Sequence, residues 1–164
     1  MIDQLSKYYS CRILTEKDIP SILSLYESNP LYFQHCPPEP NFATVKEDML
    51  CLPEGKAKAD KFFVGFWNGS DLVAVMDFVY AYPDEETVFI GLFMVDQAYQ
   101  RKGIGSHIVT EALAYFAKNF RNFRGKIIGG IYDDRFLVKP VQAVLDKIDQ
   151  SSFEFPYKGA KEMI

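Results

Sequence analysis

The sequence predicts a mixed α/β domain whose central sheet is mostly antiparallel and carries helices on both faces. The 164 residues are enough for one packed core and few for two, and 48% of them are hydrophobic. No repeat, low-complexity tract or linker-like stretch divides the chain. Turn-forming residues separate short apolar segments whose spacing changes between that of a strand and that of a helix, in the order βα(α)βββαβαβ. We therefore expect residues 1–164 to form a single domain.

The first strand and helix are predicted near the start of the sequence. Tyr8 to Leu14 has the composition of a strand. Thr15 and Asp18 follow with the spacing of a capping box, which predicts a helix that runs to about Glu27. Apolar residues recur at helical spacing within it, so this helix should bury one face.

A proline-rich segment follows the first helix. Asn29 to Asn41 contains four prolines together with aromatic residues, a composition that resists regular structure but can line a pocket. We expect an irregular loop beside the substrate. Thr44 and Glu47 then show capping-box spacing, which predicts a short helix that ends before Pro53.

Two further strands are predicted to form an antiparallel hairpin. Phe62 to Trp67 and Leu72 to Tyr80 flank the dipeptide Asn68-Gly69. Asn-Gly favours the positive backbone angles of a tight hairpin turn, so the two strands should pair with each other.

The next strand and helix carry the strongest apolar patterns. Thr87 to Val95 lacks polar alternation, which predicts a central strand covered on both faces, and Gly91 within it marks a predicted bulge. A long helix should begin near Gly103 or Gly105, because apolar residues then recur at every fourth position. Beyond it the pattern predicts a strand, a helix and a last strand, at Lys126 to Ile131, Val141 to Ile148 and Phe153 to Lys158.

The segment from Asp96 to Ser106 connects the central strand to the long helix, and its glycines allow backbone to approach a ligand closely. N–H groups at a helix N-terminus bind phosphate, helped by the helix dipole. A Walker A loop is excluded because Gly105 is followed by serine instead of lysine. A dinucleotide fingerprint is disfavoured because Ile108 stands where a small residue is needed and no acidic residue follows at the required spacing.

Gln100, Gly103 and Gly105 match a third pattern, Gln/Arg-x-x-Gly-x-Gly/Ala, directly after an apolar strand. In this respect the chain resembles the GNAT superfamily of N-acetyltransferases, in which the segment holds the pyrophosphate of acetyl-CoA. The order of the elements on either side agrees, so the resemblance spans about Ser10 to Lys158. It implies that strands four and five start parallel and then splay, opening a slot for the pantetheine arm.

The resemblance also implies which residues hold acetyl-CoA. Backbone groups of Phe93 and Val95 would bond the pantetheine amides, and an amide near Met94 would polarise the thioester carbonyl. An acceptor amine would attack the acetyl group directly, with no covalent enzyme intermediate and no metal. The residues expected to bind the diphosphate are Gln100, Arg101, Lys102, Gly103, Ile104, Gly105 and Ser106.

Five residues are candidates for catalysis and acceptor binding. Asp77 interrupts an apolar strand, as either the general base or a hydrogen-bonded structural residue. The tyrosine acid usual in the family has no counterpart at its position, so Tyr132, Tyr157 or water is the candidate acid. His35 in the proline-rich segment and Tyr82 after the hairpin are candidate acceptor-binding residues, although such residues also occur without a role.

Composition narrows the class of protein. A net charge of −4 lacks the positive surplus used to bind nucleic acid, and no apolar run is long enough for a bilayer span. Three scattered cysteines and two distant histidines give no zinc pattern. We expect a cytoplasmic N-acetyltransferase for a small-molecule or peptide amine, able to form a homodimer through exposed sheet edges. The alternative is a catalytically silent acyl-CoA-binding or sensing module.

Overall fold

A computed structural model describes residues 2–85 and 87–119, except for the side chain of His35. These residues form a four-stranded antiparallel sheet in the order β1-β2-β3-β4. The strands are β1 (Ser10–Ile13), β2 (Lys61–Asn68), β3 (Asp71–Tyr80) and β4 (Val88–Val95), and the helices are α1 (Ile19–Glu27), α2 (Pro30–His35), α3 (Phe42–Leu50) and α4 (Ile104–Asn119). The elements predicted at 126–131, 141–148 and 153–158, and with them the parallel pair of strands, lie outside the described residues.

The sheet separates two apolar cores. α4 packs on one face of the sheet, where Ile108 and Phe116 contact Met76 and Phe78 of β3. α1 and α3 pack on the opposite face, where the core includes Val75 of β3. We call these the α4 face and the α1/α3 face. Neighbouring residues of β3 thus serve different cores, as the two-residue period of a strand requires.

The predicted hairpin between β2 and β3 is confirmed, with a small change in its turn. Asn68 pairs with Asp71 as the last pair of the ladder, so Gly69 and Ser70 form a two-residue loop. Gly69 has a φ of +61°, whereas Asn68 lies within the strand. A positive angle at the first loop position alone is the pattern of a type II′ turn, for which glycine is the favoured residue.

The expectation of an irregular loop at residues 29–41 is wrong for the first half of this segment, because α2 occupies Pro30–His35. Pro30 stands in the first turn of α2, where its missing N–H group breaks no hydrogen bond. The ring of Phe33 lies 5.3 Å from that of Tyr26 and 4.9 Å from that of Tyr32, which ties this short helix to α1. Tertiary packing of aromatic rings therefore outweighs the local composition.

Side-chain caps begin α1 and α3. The predicted pairing of Thr15 with Asp18 is confirmed: the Asp18 carboxylate accepts a hydrogen bond from the Thr15 N–H at 2.8 Å, ahead of a short 3₁₀ turn that leads into α1. The predicted start of α3 at Thr44 is shifted. Asn41 is the cap: its side-chain oxygen accepts from the N–H groups of Ala43 and Thr44, and the Thr44 hydroxyl oxygen accepts from the Asn41 N–H at 2.9 Å.

β4 contains the predicted bulge. Asp77 pairs with Leu92 and Phe78 pairs with Ile90, so Gly91 is the extra residue of β4. The expectation of a strand covered on both faces is met only in part, since Gly91 is exposed and Leu92 is half-buried. Within the described residues β4 forms one edge of the sheet.

Two absences apply to the described part of the chain. None of its helices combines the length and the apolar character of a bilayer span. Among the same residues, no three His, Cys, Asp or Glu side chains come together as a metal site.

Candidate active site

The connection from β4 to α4 is held in shape by its own polar groups. The Asp96 N–H donates to the Val73 carbonyl across the sheet at 2.9 Å. The Asp96 carboxylate accepts from the Ala98 N–H at 2.8 Å and so caps a short 3₁₀ turn at Gln97–Tyr99. The loop that follows therefore leaves the sheet from a well-defined anchor.

Six consecutive backbone N–H groups, from Arg101 to Ser106, have no acceptor among the described residues. The first bond of α4 is donated by the His107 N–H to the Gly103 carbonyl at 3.0 Å. Arg101 has a φ of +60° and Gly103 a φ of +75°, and such left-handed residues interspersed in a turn direct successive N–H groups into one concavity. Together with the positive end of the α4 dipole, this arrangement suits an anion with several oxygens.

The two glycines of the loop serve different purposes. A Cβ atom at Gly103 would meet nothing within 4 Å, so its positive φ angle is what requires glycine. A Cβ atom at Gly105 would lie 3.5 Å from Val95 and 3.7 Å from Phe93, which are ordinary contacts. Packing against the protein does not require glycine at position 105, whereas close approach of a ligand to the backbone would.

The Gln100 side chain, predicted to bind the diphosphate, is engaged within the protein. Its amide donates to the Asn29 side-chain oxygen at 2.6 Å and to the Val95 carbonyl at 2.9 Å. Asn29 also donates to the Val95 carbonyl, at 3.2 Å, so that both lone pairs of this oxygen are occupied. Gln100 and Asn29 therefore tie the end of α1 to the end of β4.

This tie changes which backbone groups of β4 are open to a ligand. Asp96 donates toward β3, and successive residues of a strand direct their backbone groups to opposite sides, so those of Met94 face β3 and those of Phe93 and Val95 face away. The Val95 carbonyl, expected to bond pantetheine, is already occupied. Phe93 presents an N–H and a C=O at the open edge with no side-chain partner among the described residues.

The two basic residues of the loop differ in whether their charges are engaged by neighbouring groups of the protein. Lys102 donates to the Ala98 carbonyl at 2.8 Å and lies 5.8 Å from the centre of the Tyr99 ring, so its charge is partly used inside the loop. Arg101 is exposed at the left-handed position. Ile104 and Ser106 are half-buried in the first turn of α4.

Asp77 lies on the α1/α3 face in a buried ion pair. Its Oδ2 atom accepts from the Lys61 ammonium at 2.8 Å, while its buried Oδ1 atom has no partner in the described structure. Burial raises the pKa of Asp77, and the hydrogen bond and charge of Lys61 oppose that rise without cancelling it. Lys61 is thus the hydrogen-bonding partner that a structural role of Asp77 requires. The raised pKa of Asp77 also suits a role as proton acceptor.

Tyr82 and Asp77 are brought to the same part of the sheet, on either side of Phe89 and Gly91. The rings of Tyr82 and Phe89 meet edge to face at 5.6 Å. A Cβ atom at Gly91 would lie 3.3 Å from the Phe89 ring and 3.2 Å from Oδ2 of Asp77. The bulge of β4 therefore leaves the carboxylate uncovered by a side chain at this point.

Two other predicted residues cannot be placed in this way. His35 is the last residue of α2, and its side chain is not described. Tyr132 lies outside the described residues, so its proposed role as the acid stays a prediction.

Sequence reasoning missed Lys61, Asn29 and the pair of Tyr26 with Asp48, in which the tyrosine hydroxyl donates to the carboxylate at 2.9 Å. The sequence pattern predicts that the strand begins at Phe62, whereas Lys61 is the first residue of β2. Its position two residues before Phe63, which pairs with Asp77, was the available signal. Side chains two positions apart on a strand share a face, so the hairpin register would have placed Lys61 diagonally opposite Asp77.

Similar solved structures share this fold. An acetyltransferase from Thermus thermophilus aligns with a TM-score of 0.61 at 19% identity, covering 84% of this chain and 82% of that one. A ribosomal L7/L12 α-N-protein acetyltransferase, RimL, solved with coenzyme A, gives 0.61 at 15% identity, covering 90% and 82%. An aminoglycoside acetyltransferase from an uncultured soil metagenomic sample, solved with sisomicin, gives 0.53 at 14% identity, covering 90% and 91%. At these identities the likeness concerns the fold.

The family follows from the sequence match. No curated protein matches the chain significantly. Residues 22–130, about two thirds of the chain, match the model of the acetyltransferase (GNAT) family. This range includes the hairpin, the bulged strand, the loop with its six open N–H groups and α4. The protein belongs to the GNAT acetyltransferase family.

Proposed function

We propose that this protein is an N-acetyltransferase that moves the acetyl group of acetyl-CoA to a primary amine. The observation that carries the proposal is the row of N–H groups from Arg101 to Ser106, which have no acceptor among the described residues. A diphosphate offers several oxygens to such a row and needs no paired side-chain charge. Membership of the family supplies the chemistry expected of that ligand.

The pantetheine arm would lie along the open edge of β4. There the N–H and C=O of Phe93 can bond its amides as a neighbouring strand would. This position puts the thioester near the bulge at Gly91, next to Asp77. The Met94 N–H faces β3, so the expectation that it polarises the thioester carbonyl is not met, and another main-chain N–H at the open edge of β4 would stabilise the negative charge that develops on the carbonyl oxygen.

Direct transfer requires a neutral amine, whereas a lysine-like amine with a pKa of about 10.4 is protonated at neutral pH. In the proposed reaction Asp77 takes one proton from the ammonium group. The amine nitrogen then attacks the acetyl carbon, the carbon–sulfur bond breaks, the sulfur leaves as thiolate, and the nitrogen releases its second proton to solvent as the amide forms. Tyr132 or water would return a proton to the thiolate.

The acceptor belongs to the primary amines, either small molecules or peptides. The formal charge of −4 favours cationic acceptors at long range. Two of the structural neighbours are an aminoglycoside and a protein N-terminal acetyltransferase, so a test panel should contain both kinds of amine.

Thiol release from acetyl-CoA with a panel of amines tests the proposal, alongside thermal unfolding with CoA, NAD and ATP. We expect CoA alone to raise the melting temperature and at least one amine to accelerate thiol release. Protection by CoA without acceleration by any amine would favour the silent acyl-CoA-binding module, an alternative consistent with the engagement of Asp77 by Lys61. Absence of protection by CoA would overturn both.

A further inference from the structure

Lys61 is an unusual lysine because its side chain is only 6% exposed. Its ammonium donates to Oδ2 of Asp77 at 2.8 Å and to the Cys51 carbonyl at 2.8 Å. Two acceptors at this distance hold the charge in one place, which compensates part of the cost of removing it from water. The carboxylate of Asp77 is held equally firmly as a result.

Stability alone is a poor explanation for this pair. Removing two charges from water offsets much of their attraction, so a buried ion pair adds little stability over apolar residues of similar volume. Here the exchange is still less favourable, because the buried Oδ1 atom of Asp77 has no hydrogen-bond partner among residues 2–85 and 87–119. A costly, half-satisfied carboxylate in an otherwise apolar strand calls for a role in function.

The way to this carboxylate passes over Gly91. Gly91 is exposed, and any side chain there would begin 3.2 Å from Oδ2 of Asp77. The missing side chain leaves an approach to the carboxylate from the same strand that is proposed to hold the thioester.

The charges around Asp77 favour a cation. Lys61 faces it from β2, Asp48 from α3 and Tyr26 from α1, while β4 contributes only Gly91 and Leu92. Asp48 acts electrostatically on Asp77 and on Lys61, and it accepts the hydroxyl of Tyr26. Among the charged groups of the described chain that face Asp77, two carboxylates including its own stand against one ammonium, which leaves a net charge of −1.

We propose that Lys61 is a positioning residue, which holds the carboxylate of Asp77 beneath the β4 bulge so that it can accept a proton from the ammonium group of the acceptor. This role rests on the proposed function. One N–H bond of the acceptor breaks as one O–H bond forms on Asp77, and the amine lone pair is freed to attack the acetyl carbon. Asp77 later releases the proton to solvent, so the cycle needs no further reactant.

Lys61→Met tests the proposal, because it removes the charge and keeps an unbranched stem. We expect kcat/KM for the amine to fall about tenfold at neutral pH, with the acid limb of its pH profile moved to higher pH. Without the ammonium, the Asp77 carboxyl holds its proton more tightly. Lys61→Arg should restore most of the activity, and CoA affinity should stay within about twofold in both variants.

Lys46→Met is the matched control. Lys46 forms an ion pair with Glu16 at 3.0 Å on the surface, so the same substitution there removes a pair that is remote from Asp77. It should leave the pH profile unchanged. Lys61→Gln, uncharged but able to donate a hydrogen bond, replaces Lys61→Met if the latter does not fold.

A purely structural Lys61 predicts a different outcome. In that case the uncharged Lys61 variants would lower the melting temperature but leave the acid limb and kcat/KM unmoved below it, and the proposal would be overturned. Wild-type protein that releases no thiol with any amine would instead refute the proposed function itself. The two failures are therefore separate.

Discussion

Gly103 shows how one residue can set the geometry of the loop at residues 101–106, which is proposed to bind the diphosphate, without contacting other side chains. We predict that Gly103→Ala lowers CoA affinity about tenfold, because a left-handed alanine costs about 1 kcal/mol and the loop relaxes away from the conformation that aligns its N–H groups. Isothermal titration with CoA measures the loss. Gly69 has the same kind of φ angle and the same open surroundings in the β2–β3 turn, so Gly69→Ala is the control. It should lose similar stability and keep its CoA affinity.

Gly105 separates access from backbone strain. Its Cβ position has only ordinary contacts, with Val95 and Phe93, so Gly105→Ala should leave the melting temperature nearly unchanged. We expect it to weaken CoA binding several-fold, because the added methyl group lies beside the open N–H groups. Unaltered binding would contradict the assignment of this backbone to the diphosphate.

Asp18 provides the clearest link between a single residue and pH. Arg12 donates to both of its oxygens, at 2.9 and 2.7 Å, and this hydrogen bonding lowers the pKa of Asp18 from 3.8 to about 2. A carboxyl with a depressed folded-state pKa stabilises the protein above pH 3.8 and loses that contribution as pH falls toward 2. Since Arg12 is half-exposed, we expect about 1 kcal/mol. Urea unfolding of Arg12→Met should show this deficit at pH 6 and little of it near pH 2.

At the scale of elements, the tie between α1 and β4 joins the two halves of the proposed site. Asn29→Asp would place a carboxylate oxygen against the Val95 and Leu25 carbonyls that now accept from its amide. We predict a loss of about 1–2 kcal/mol in unfolding free energy and a several-fold rise in KM for acetyl-CoA that exceeds any change in KM for the amine.

Asn119→Asp is the matched control for this prediction. The Asn119 amide also donates to a carbonyl, that of Tyr115 at 2.8 Å, but at the far end of α4. It should lower stability without altering either KM. Equal effects of the two substitutions on KM would show that Asn29 acts only through general stability.

The elements differ in how far the sequence alone could predict them. The hairpin, the bulge at Gly91 and the start of α4 follow from local patterns, because glycine and apolar periodicity act over a few residues. α2 could not be predicted, since it depends on Phe33 packing against Tyr26. The glycines after β4 indicate the loop that is proposed to bind the diphosphate. The partner of Asp77 depends instead on the register between two strands, which the pattern of a single strand does not contain.

At the scale of the whole molecule, β4 is the element that both proposed ligand regions share. The region proposed for the diphosphate follows the C-terminal end of β4, and the region proposed for the acceptor amine surrounds the β4 bulge on the α1/α3 face. β4 therefore connects the two proposed ligand regions directly.

Amide hydrogen exchange can test whether CoA binds at the loop that follows β4. We predict that CoA slows exchange about tenfold or more for the amides of residues 101–106, because bound phosphate oxygens would give them acceptors. Exchange in the β1–β2 pairing, at the opposite edge of the described sheet, should not change. Uniform protection across the sheet would point to general stabilisation in place of contact at the loop.

Because Gly91 is an extra residue, the positions of β4 that face α4 change from even-numbered to odd-numbered at the bulge. Before it, the even-numbered Val88 and Ile90 pack toward α4; after it, the odd-numbered Phe93 and Val95 do. Deleting that single glycine would leave Ile90 opposite Phe78 and Leu92 opposite Asp77, so the two cores would keep their side chains while the bulge beside Asp77 would be lost. A regular strand would thus be compatible with the packing on both faces, so deletion of Gly91 should impair the proposed function more than the fold.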